Sequence, residues 1–595
     1  MDASRCLCEV AWEVCNKVGG IYTVVQSKAA IIQEKFQSYM LIGPYFREKA
    51  RVDFEELEVP DEFKPAYDSL SNEGIKCHYG KWLIKGEPKC TLIDASGFIG
   101  KKDEIKKILW DEYKIDSLNT GWDFEEPMLW SWAAGMLIEQ LGRGADEKGI
   151  AHFHEWLAGF GLLYLKWKNS SARTVFTTHA TTLGRTLASA ERDIYDDIAS
   201  IDPNKEAYYY QVQAKHLTEV ECAKNATVFT TVSETTAQEA EHFIGRKVDV
   251  ILANGLDISK FPTMEEAAVS HRHNRQVIRE FISYFFLPHY YFDTNETLFF
   301  FIVGRYEMKN KGIDLFIDAL ARLNDRLKEE GFGKTIVAFF WIPREVHGTN
   351  VEISANKIAY DAIKNYILDT TKMTQQKILD TVMMNERPES YLSERSFTQG
   401  QLFDRNTLQD FKKLRLAFAK KGNAPIATHN LPYQEQDAII RRLVDSGLDN
   451  KPDDKVKAVF YPVYLTGVDG LLDLPYYEAI MGCHLGLFPS YYEPWGYTPL
   501  ETAALGVPSL TTDLAGFGRF LQSKDPSPSG IRVLPRLNKK REEVINAFSQ
   551  VMYDYAHLGK QERVNEKIVA KRKAALADWS ILIKNYIKAY DKALK

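Results

Sequence analysis

The sequence predicts an α/β architecture of two doubly wound, parallel-sheet domains. Short β-branched and aromatic runs alternate with amphipathic helical patterns over most of the chain, as strand–helix–strand units do. The alternation falls into two sets, separated at about residues 260–296 by a segment that is His/Arg-rich and then aromatic. At roughly 150 residues per domain, 595 residues accommodate two large domains with insertions.

In chain order, the first strands are expected at Leu7–Ala11, Tyr39–Ile42, Cys90–Ile93, Ile150–Phe153, Thr174–Thr177, Thr227–Thr230 and Val248–Leu252. They assign residues 1–265 to a first domain and 266–296 to an interdomain segment with some helix. The second strands are expected at Leu298–Val303, Thr335–Phe340, Lys457–Phe460, His484–Phe488, Ser509–Thr511 and Ile531–Leu534, which gives a second domain over 297–565. Tyr208–Ala223 and Ile313–Lys328 read as amphipathic helices between strands. Residues 351–416 break the alternation, with few β-branched runs and many Lys, Gln, Asp and Met residues. Such a stretch is too long for a loop in a compact domain and reads as a helical insertion. A Lys- and Ala-rich helical tract, interrupted near Asp578 and Trp579, ends the sequence. Its last part, 566–595, is expected to pack back on the first domain.

Composition excludes several classes. With 45% hydrophobic and 26% charged residues the chain is globular, not disordered or fibrous. A formal net charge of −6 argues against a protein that tracks duplex nucleic acid. No apolar run approaches the ~20 residues that span a bilayer, and Arg5, Glu9 and Glu13 break up the N-terminal apolar residues, so no signal peptide is expected. The seven cysteines are odd in number and lack zinc-finger spacing. They read as reduced thiols of a cytoplasmic protein.

The chemistry-bearing motifs sit where strands are expected to end, the place where open α/β sheets bind ligands. Lys17, Gly19 and Gly20 precede a helical run, and the helix N-terminus behind the glycines would offer free N–H groups to an anion. His152, His154 and Glu155 fall where a strand becomes a helix. The two imidazoles are taken to point to opposite faces of the strand, so a shared metal is not expected. His179 is followed six residues later by Arg185, a pair suited to a hydroxyl and a phosphate. Arg305 and Lys311, also six apart, flank a tight loop and can converge on a diphosphate. The densest stretch runs from Phe488 to Glu501. Its aromatic-walled loop carries Glu493, and Thr498 is expected to cap a helix that holds Glu501. No Asp-x-Asp occurs in the chain, so Arg and Lys, not a chelated metal, would neutralise a nucleotide's phosphates.

These blocks, with Glu9–Lys28, Tyr79–Ile84, Phe229–Glu234, Asn254–Leu256 and Gly482–Glu501, closely resemble the eukaryotic-type glycogen synthases. The matches run in order over nearly the whole chain up to Pro508. The resemblance implies a GT-B glycosyltransferase of two Rossmann-like domains around a deep cleft. It further implies retaining transfer of glucose from UDP-glucose to the non-reducing end of an α-1,4-glucan, with no cofactor and no metal. Glu493 then matches the catalytic glutamate of a Glu-x7-Glu signature completed by Glu501. Arg305 and Lys311 match the cations on the departing UDP, and His179 and Arg185 the donor-side histidine and arginine. Lys17, Gly19, Gly20, His154 and Asn254 fall in matched substrate-binding blocks. Tyr464 and Tyr476 fall where the family places aromatics around uracil, and Trp495, Gly496, Tyr497 and Thr498 form the loop that meets glucose and diphosphate.

The resemblance also implies a homotetramer, with the insertion as its contact, and a priming protein such as glycogenin. It implies activation by glucose 6-phosphate at His271, Arg275, Arg563 and Lys567. The sequence departs from the family in lacking a Ser-rich tail and a phosphorylated N-terminal extension, and Gln561 and Val569 thin the arginine run. A basal state already active, with modest activation, is the expectation. Rival readings are a related enzyme using ADP-glucose or another acceptor, and a non-catalytic glucan-binding scaffold.

Overall fold

A computed structural model describes residues 6–142, 149–383 and 403–595. Its first sheet contains β1 (Cys6–Val10), β2 (Ser38–Pro44), β3 (Phe54–Glu56), β4 (Lys76–Trp82), β5 (Lys89–Asp94), β6 (Ile150–His154), β7 (Arg173–Thr178), β8 (Val228–Thr231) and β9 (Val250–Ile251). The spatial order is β3-β4-β5-β2-β1-β6-β7-β8-β9. All neighbours are parallel except at the β3–β4–β5 edge, where β4 runs antiparallel to both. The parallel strands are apolar on both faces because helices cover both sides of the sheet. β4 carries polar Lys76, His78 and Lys81 among its apolar residues, so it forms no continuous apolar run.

The second sheet is β14-β11-β10-β15-β16-β17, all parallel. It comprises β10 (Thr297–Val303), β11 (Thr335–Trp341), β14 (Val456–Tyr461), β15 (Leu485–Leu487), β16 (Ser509–Thr512) and β17 (Ile531–Leu534). At its centre Leu298, Phe299, Phe300, Phe301 and Ile302 are all buried, since helices pack on both faces. A two-residue ladder of β12 (Gly348–Thr349) and β13 (His429–Asn430) closes the base of the insertion. Beyond it project the helices Val351–Met383 and Arg405–Phe418, which touch through Tyr366 and Phe411 at 5.3 Å. The remainder of that expected insertion lies outside the described residues.

The helix Met264–Phe286 links the two sheets. Thr263 and Glu266 form a capping box at its start, and Ile278, Phe281, Ile282 and Phe285 bury its apolar stripe against the second sheet. The stretch expected as one helix near Tyr208 is two, Pro203–Tyr209 and Gln213–Asn225, separated by Gln211 at φ +56°. After the second sheet, the helix Lys560–Ala574 packs on the helix Tyr497–Ala504. The chain then turns at Asp578, and the helix Trp579–Leu594 returns to the first sheet. There Trp579 Nε1 donates to Ser27 Oγ at 2.7 Å.

Candidate active site

In the first sheet the chain winds outward from β1 to β2 and later resumes on β1's other side with β6. In the second it winds from β10 to β11 and resumes on β10's other side with β15. These are topological switch points, where the loops leaving the carboxyl ends diverge and leave a crevice.

At the second switch point the loop after β10 brings Lys311 to Glu493 on the loop after β15, Nζ to Oε2 at 2.5 Å. The loops are fastened together: Asn310 O accepts from the amides of Tyr491 at 2.8 Å and Tyr492 at 3.3 Å. Gly312 has φ +68°, and a Cβ there would lie 2.1 Å from Pro489 O. Only glycine satisfies both demands. Glu493 is further pinned through its carbonyl, which accepts from Gly516 N at 3.0 Å. Arg305 stands apart from the pair. Its side chain is largely exposed and reaches Glu307 at 3.1 Å.

Thr498 is not the helix cap. The helix starts at Tyr497, and Gly496, at φ +108°, occupies the cap position without a side-chain hydrogen bond. The first amides of this helix are therefore uncapped beside Lys311, Glu493 and Thr498, which line one narrow pocket. Trp495 turns its indole into the core, onto Phe517 and Phe520. Glu501 is half-buried, and desolvation raises its carboxyl to about 7, against a hydrogen bond from Tyr477 and the charge of Lys17. Tyr477 Oη donates to it at 3.0 Å. Tyr476 is half-buried near Glu501 and Thr498, whereas Tyr464 is 75% exposed.

The first switch point holds a buried polar network. Glu9 on β1 accepts from Lys28 Nζ, from Tyr39 Oη at 2.5 Å and from His154 Nε2 at 2.7 Å. His154 Nδ1 lies 2.9 Å from His179 Nε2. Burial keeps His154 and His179 neutral by lowering their pKa values. His154 spends its one N–H on the Glu9 carboxylate, so its Nδ1 accepts and His179 Nε2–H donates. His179 Nδ1 is left as an acceptor. Its backbone is held separately: Glu155 Oε1 accepts from the amides of His179 at 2.9 Å and Ala180 at 3.1 Å. Glu155 itself has φ +65°, an αL geometry that is costly outside glycine, and burial raises its carboxyl to about 7.

One expectation fails here, and a second holds only in part. His152 and His154 do not point to opposite faces: residues two apart in a strand share a face, and their rings lie 4.1 Å apart. With Glu9 they form a cluster whose ligand atoms fall within 4.8 Å of one another. Lys28 already supplies the cation on the Glu9 oxygen that faces His154, so this donor set does not fit a divalent ion without displacing the lysine. The helix behind Gly19 and Gly20 has part of its N-terminus already taken by a carboxylate. Glu13 Oε2 takes the amides of Gly19 at 2.7 Å and Tyr22 at 2.9 Å.

The domains meet above these loops. Tyr491 Oη accepts from Ile194 N at 2.6 Å, Tyr492 Oη donates to Glu239 at 3.3 Å, and Lys309 bridges to Asp193 at 2.6 Å. Arg185 makes no ion pair among the described residues. Burial opposes its charge, but Glu155, Tyr492, Glu219 and Glu13 outweigh this and raise its pKa. Asn254 Oδ1 is buried with no hydrogen-bond partner among the described residues. The roles of Glu9, Lys28 and Glu13 were not read from the sequence. The available signal was two acidic residues, Glu9 and Glu13, in or just beyond an otherwise apolar strand, and Lys28 among the apolar residues of the following helix.

A second cationic cluster lies away from the cleft. Lys567 Nζ donates to His271 Nδ1 at 2.8 Å, while His271 Nε2 donates to Leu505 O at 3.0 Å. Arg275 donates to the carbonyls of Gly482 and Cys483. Arg563 donates to Leu558 O. Burial, then the charges of Arg275 and Arg563, lower Lys567 to about 7.

Comparison with known proteins fits this geometry. The glycogen synthase family matches residues 9–595. The chain is 36% identical to a glycogen [starch] synthase of Neurospora crassa over 99% of its own length and 83% of that protein's. It is 37% identical to that of Caenorhabditis elegans, covering 98% and 87%, and 35% identical to the liver enzyme of Mus musculus, covering 98% and 82%. Among solved structures it resembles the catalytic domain of starch synthase IV from Arabidopsis thaliana bound to ADP and acarbose. The TM-score is 0.52 at 15% identity, with 99% of each chain covered, a likeness of fold. Family match, full-length relatives and paired switch points agree: this GT-B glycosyltransferase belongs to the glycogen synthase family.

Proposed function

We propose that the chain transfers glucose from UDP-glucose, with retention of configuration, to the non-reducing end of an α-1,4-glucan. The observation that carries this reading is the Lys311–Glu493 pair at the switch point of the second sheet, beside an uncapped helix N-terminus. UDP leaves with two charges to disperse. Lys311, Arg305 and the Gly496–Thr498 amides would take them, so preorganised electrostatics supplies much of the rate. Lys311 is matched to Glu493 and Arg305 to Glu307. A diphosphate would draw both cations to itself and free Glu493 for the sugar hydroxyls and the positive charge developing at the anomeric carbon. His179 Nδ1 is positioned as a hydroxyl acceptor, and Asn254 has an unused oxygen. Tyr464 and Tyr476 would hold the base, with Tyr464 closing onto it from solvent. Retention requires attack on the face the phosphate leaves, which suits the phosphate to take the acceptor's proton.

The same reading extends to partners: glucose 6-phosphate at the cluster of His271, Arg275, Arg563 and Lys567, a homotetramer through the insertion, a glycogenin-like primer, and a cytoplasmic setting without metal. UDP release from UDP-glucose and from ADP-glucose, with and without glycogen, tests the core of it. Turnover should need glycogen, favour UDP-glucose and survive EDTA. Glu493→Gln should leave the fold intact and cut turnover about 100- to 1,000-fold, a loss of ~3–4 kcal/mol of transition-state stabilisation. Turnover within threefold of the parent would remove Glu493 from the chemistry.

A further inference from the structure

The loops that carry His179 and Glu493 belong to different domains, and one buried carboxylate reaches towards both. Glu239 lies on the helix Glu234–Phe243, which follows β8 in the first domain. It is 1% exposed and forms no ion pair among the described residues. Burial raises its carboxyl above the ordinary value, against three hydrogen bonds and the charge of Arg185.

The three bonds come from hydroxyls. Oε1 accepts from Tyr195 Oη at 2.7 Å. Oε2 accepts from Thr181 Oγ1 at 2.6 Å and from Tyr492 Oη at 3.3 Å. Each bond at Oε2 leads to a part of the candidate site. Thr181 follows His179 by two residues and caps the helix Thr182–Ser189, accepting from Gly184 N at 3.0 Å. Arg185 is the next residue of that helix. Tyr492 comes from the second domain and directly precedes Glu493.

The surrounding packing is shaped for this approach. A Cβ on Gly184 would lie 2.2 Å from Glu239 Oε2 and 2.5 Å from Thr181 Oγ1. The carboxylate reaches the cap only because residue 184 is glycine. The start of Glu239's helix is also seated on the Glu493 loop. Its cap residue Ser233 has a Cβ that would lie 2.5 Å from a Cβ on Gly516, and Gly516 N donates to Glu493 O at 3.0 Å. Tyr491, Tyr492 and Leu514 of the second domain share one apolar cluster with Leu183, Leu187 and Phe243 of the first. A carboxylate is an expensive way to fill such a place, since an apolar side chain of similar volume needs no desolvation of charge.

The Tyr492 bond is the longest of the three and the one that crosses between domains. Hydrogen bonds fail soon beyond this length. A small displacement of one domain against the other therefore makes or breaks it, while Thr181 stays attached.

We propose that Glu239 is a positioning residue for glucosyl transfer, whose Oε2 ties the His179 loop and the start of the Arg185 helix to Tyr492 and so to Glu493. It touches no reacting atom and acts through Thr181 and Tyr492. Misplacing reacting groups by about 1 Å costs on the order of 100-fold in rate, so a tie between the two halves of the site has a large effect on turnover. The role rests on the glucosyl-transfer reading above.

The test uses the full chain with Glu239→Gln, Tyr492→Phe, their combination, and Tyr195→Phe. Glu239→Gln is nearly isosteric and Tyr492→Phe removes one oxygen, so either keeps the test open if the other misfolds. In each, kcat for transfer from UDP-glucose to glycogen should fall about tenfold or more. KM for UDP-glucose and the calorimetric affinity for UDP should stay within about twofold of the parent, the pattern of a contact that matters in the transition state. The double variant should be no slower than the slower single, because both break one link. Tyr195→Phe, which frees only Oε1, should lose much less. Folded variants with kcat within about threefold of the parent overturn the role. So do losses that multiply in the double variant, or a Tyr195→Phe loss as large as that of Tyr492→Phe, either of which would make Glu239 a structural carboxylate. A parent that transfers no glucose at all overturns the catalytic reading itself, and this role with it.

Discussion

Glu9 and Lys28 are both fully buried and hold each other's charge at the base of the His154–His179 chain. Burial would raise the Glu9 carboxyl, but Lys28 and the His154 hydrogen bond prevail and hold it well below 4.5. Removing either partner strands the other's charge in the core, a loss of about 3–5 kcal/mol. Glu9→Gln and Lys28→Met should therefore each destabilise strongly in urea titrations, and the double variant should cost much less than their sum. Strict additivity would mean the pair is not coupled. The sign of the pH dependence follows. The folded pKa is depressed, so the pair's stabilisation is complete above about 4.5 and is lost as pH falls through the lower folded value. Glu9→Gln should lack that portion of the acid transition. The sequence displayed Glu9, His152 and His154 plainly, yet their meeting was not legible. Glu9 and His154 are 145 residues apart and become neighbours only because β6 pairs with β1. Glu13 filling the helix N-terminus behind Gly19 is hidden for a similar reason: a turn of chain, not a motif, carries the carboxylate there.

At the scale of elements, the buried parallel strands were legible because each is a short apolar run between turn residues, as Leu298 to Val303 illustrates. The half-polar β4 and the break that splits the helix near Gln211 were not, since neither leaves an uninterrupted pattern. The uncapped start of the helix Tyr497–Ala504 was also misplaced. Thr498 is a good cap by type, but Gly496 takes the positive φ that the loop demands. The insertion is an element that leaves large apolar residues exposed among the described residues. On the helix Val351–Met383, Leu368 and Leu379 are 59% and 53% exposed. Eleven residues make about three turns, so both lie on one face. No element among the described residues covers this face, and the proposed tetramer would set it against another subunit. Light scattering at micromolar concentration should find an assembly for the parent, and a Leu368→Glu, Leu379→Glu variant should reduce its mass. A monomeric parent, or a variant of unchanged mass, would remove the insertion from assembly.

At the scale of the whole molecule, one helix connects the two charged sites. Tyr497–Ala504 begins beside Glu493 and Lys311. At its far end Ala504 O accepts from Lys571 at 2.9 Å and Leu505 O accepts from His271 at 3.0 Å. The cationic cluster thus grips the helix whose uncapped start faces the proposed diphosphate. Within that cluster Lys567 sits at about 7, depressed first by burial and then by Arg275 and Arg563. Between about 7 and 10.5 the unfolded chain binds this proton and the folded chain does not. Stability from this group therefore falls as pH drops from 10.5 toward 7, and is level below. Lys567→Met should remove that cost and raise Tm near pH 7 in the absence of anions, as expected if the proposed binding site is held at the expense of stability. A bound phosphate supplies the missing negative charge, so glucose 6-phosphate should raise the parent's Tm and take up a proton at pH 8. Calorimetry in two buffers of different ionisation enthalpy reads that proton directly. In Lys567→Met both the Tm shift and the proton uptake should largely vanish. An equal Tm shift in parent and variant, or binding without proton uptake, would place the hexose phosphate elsewhere on the molecule.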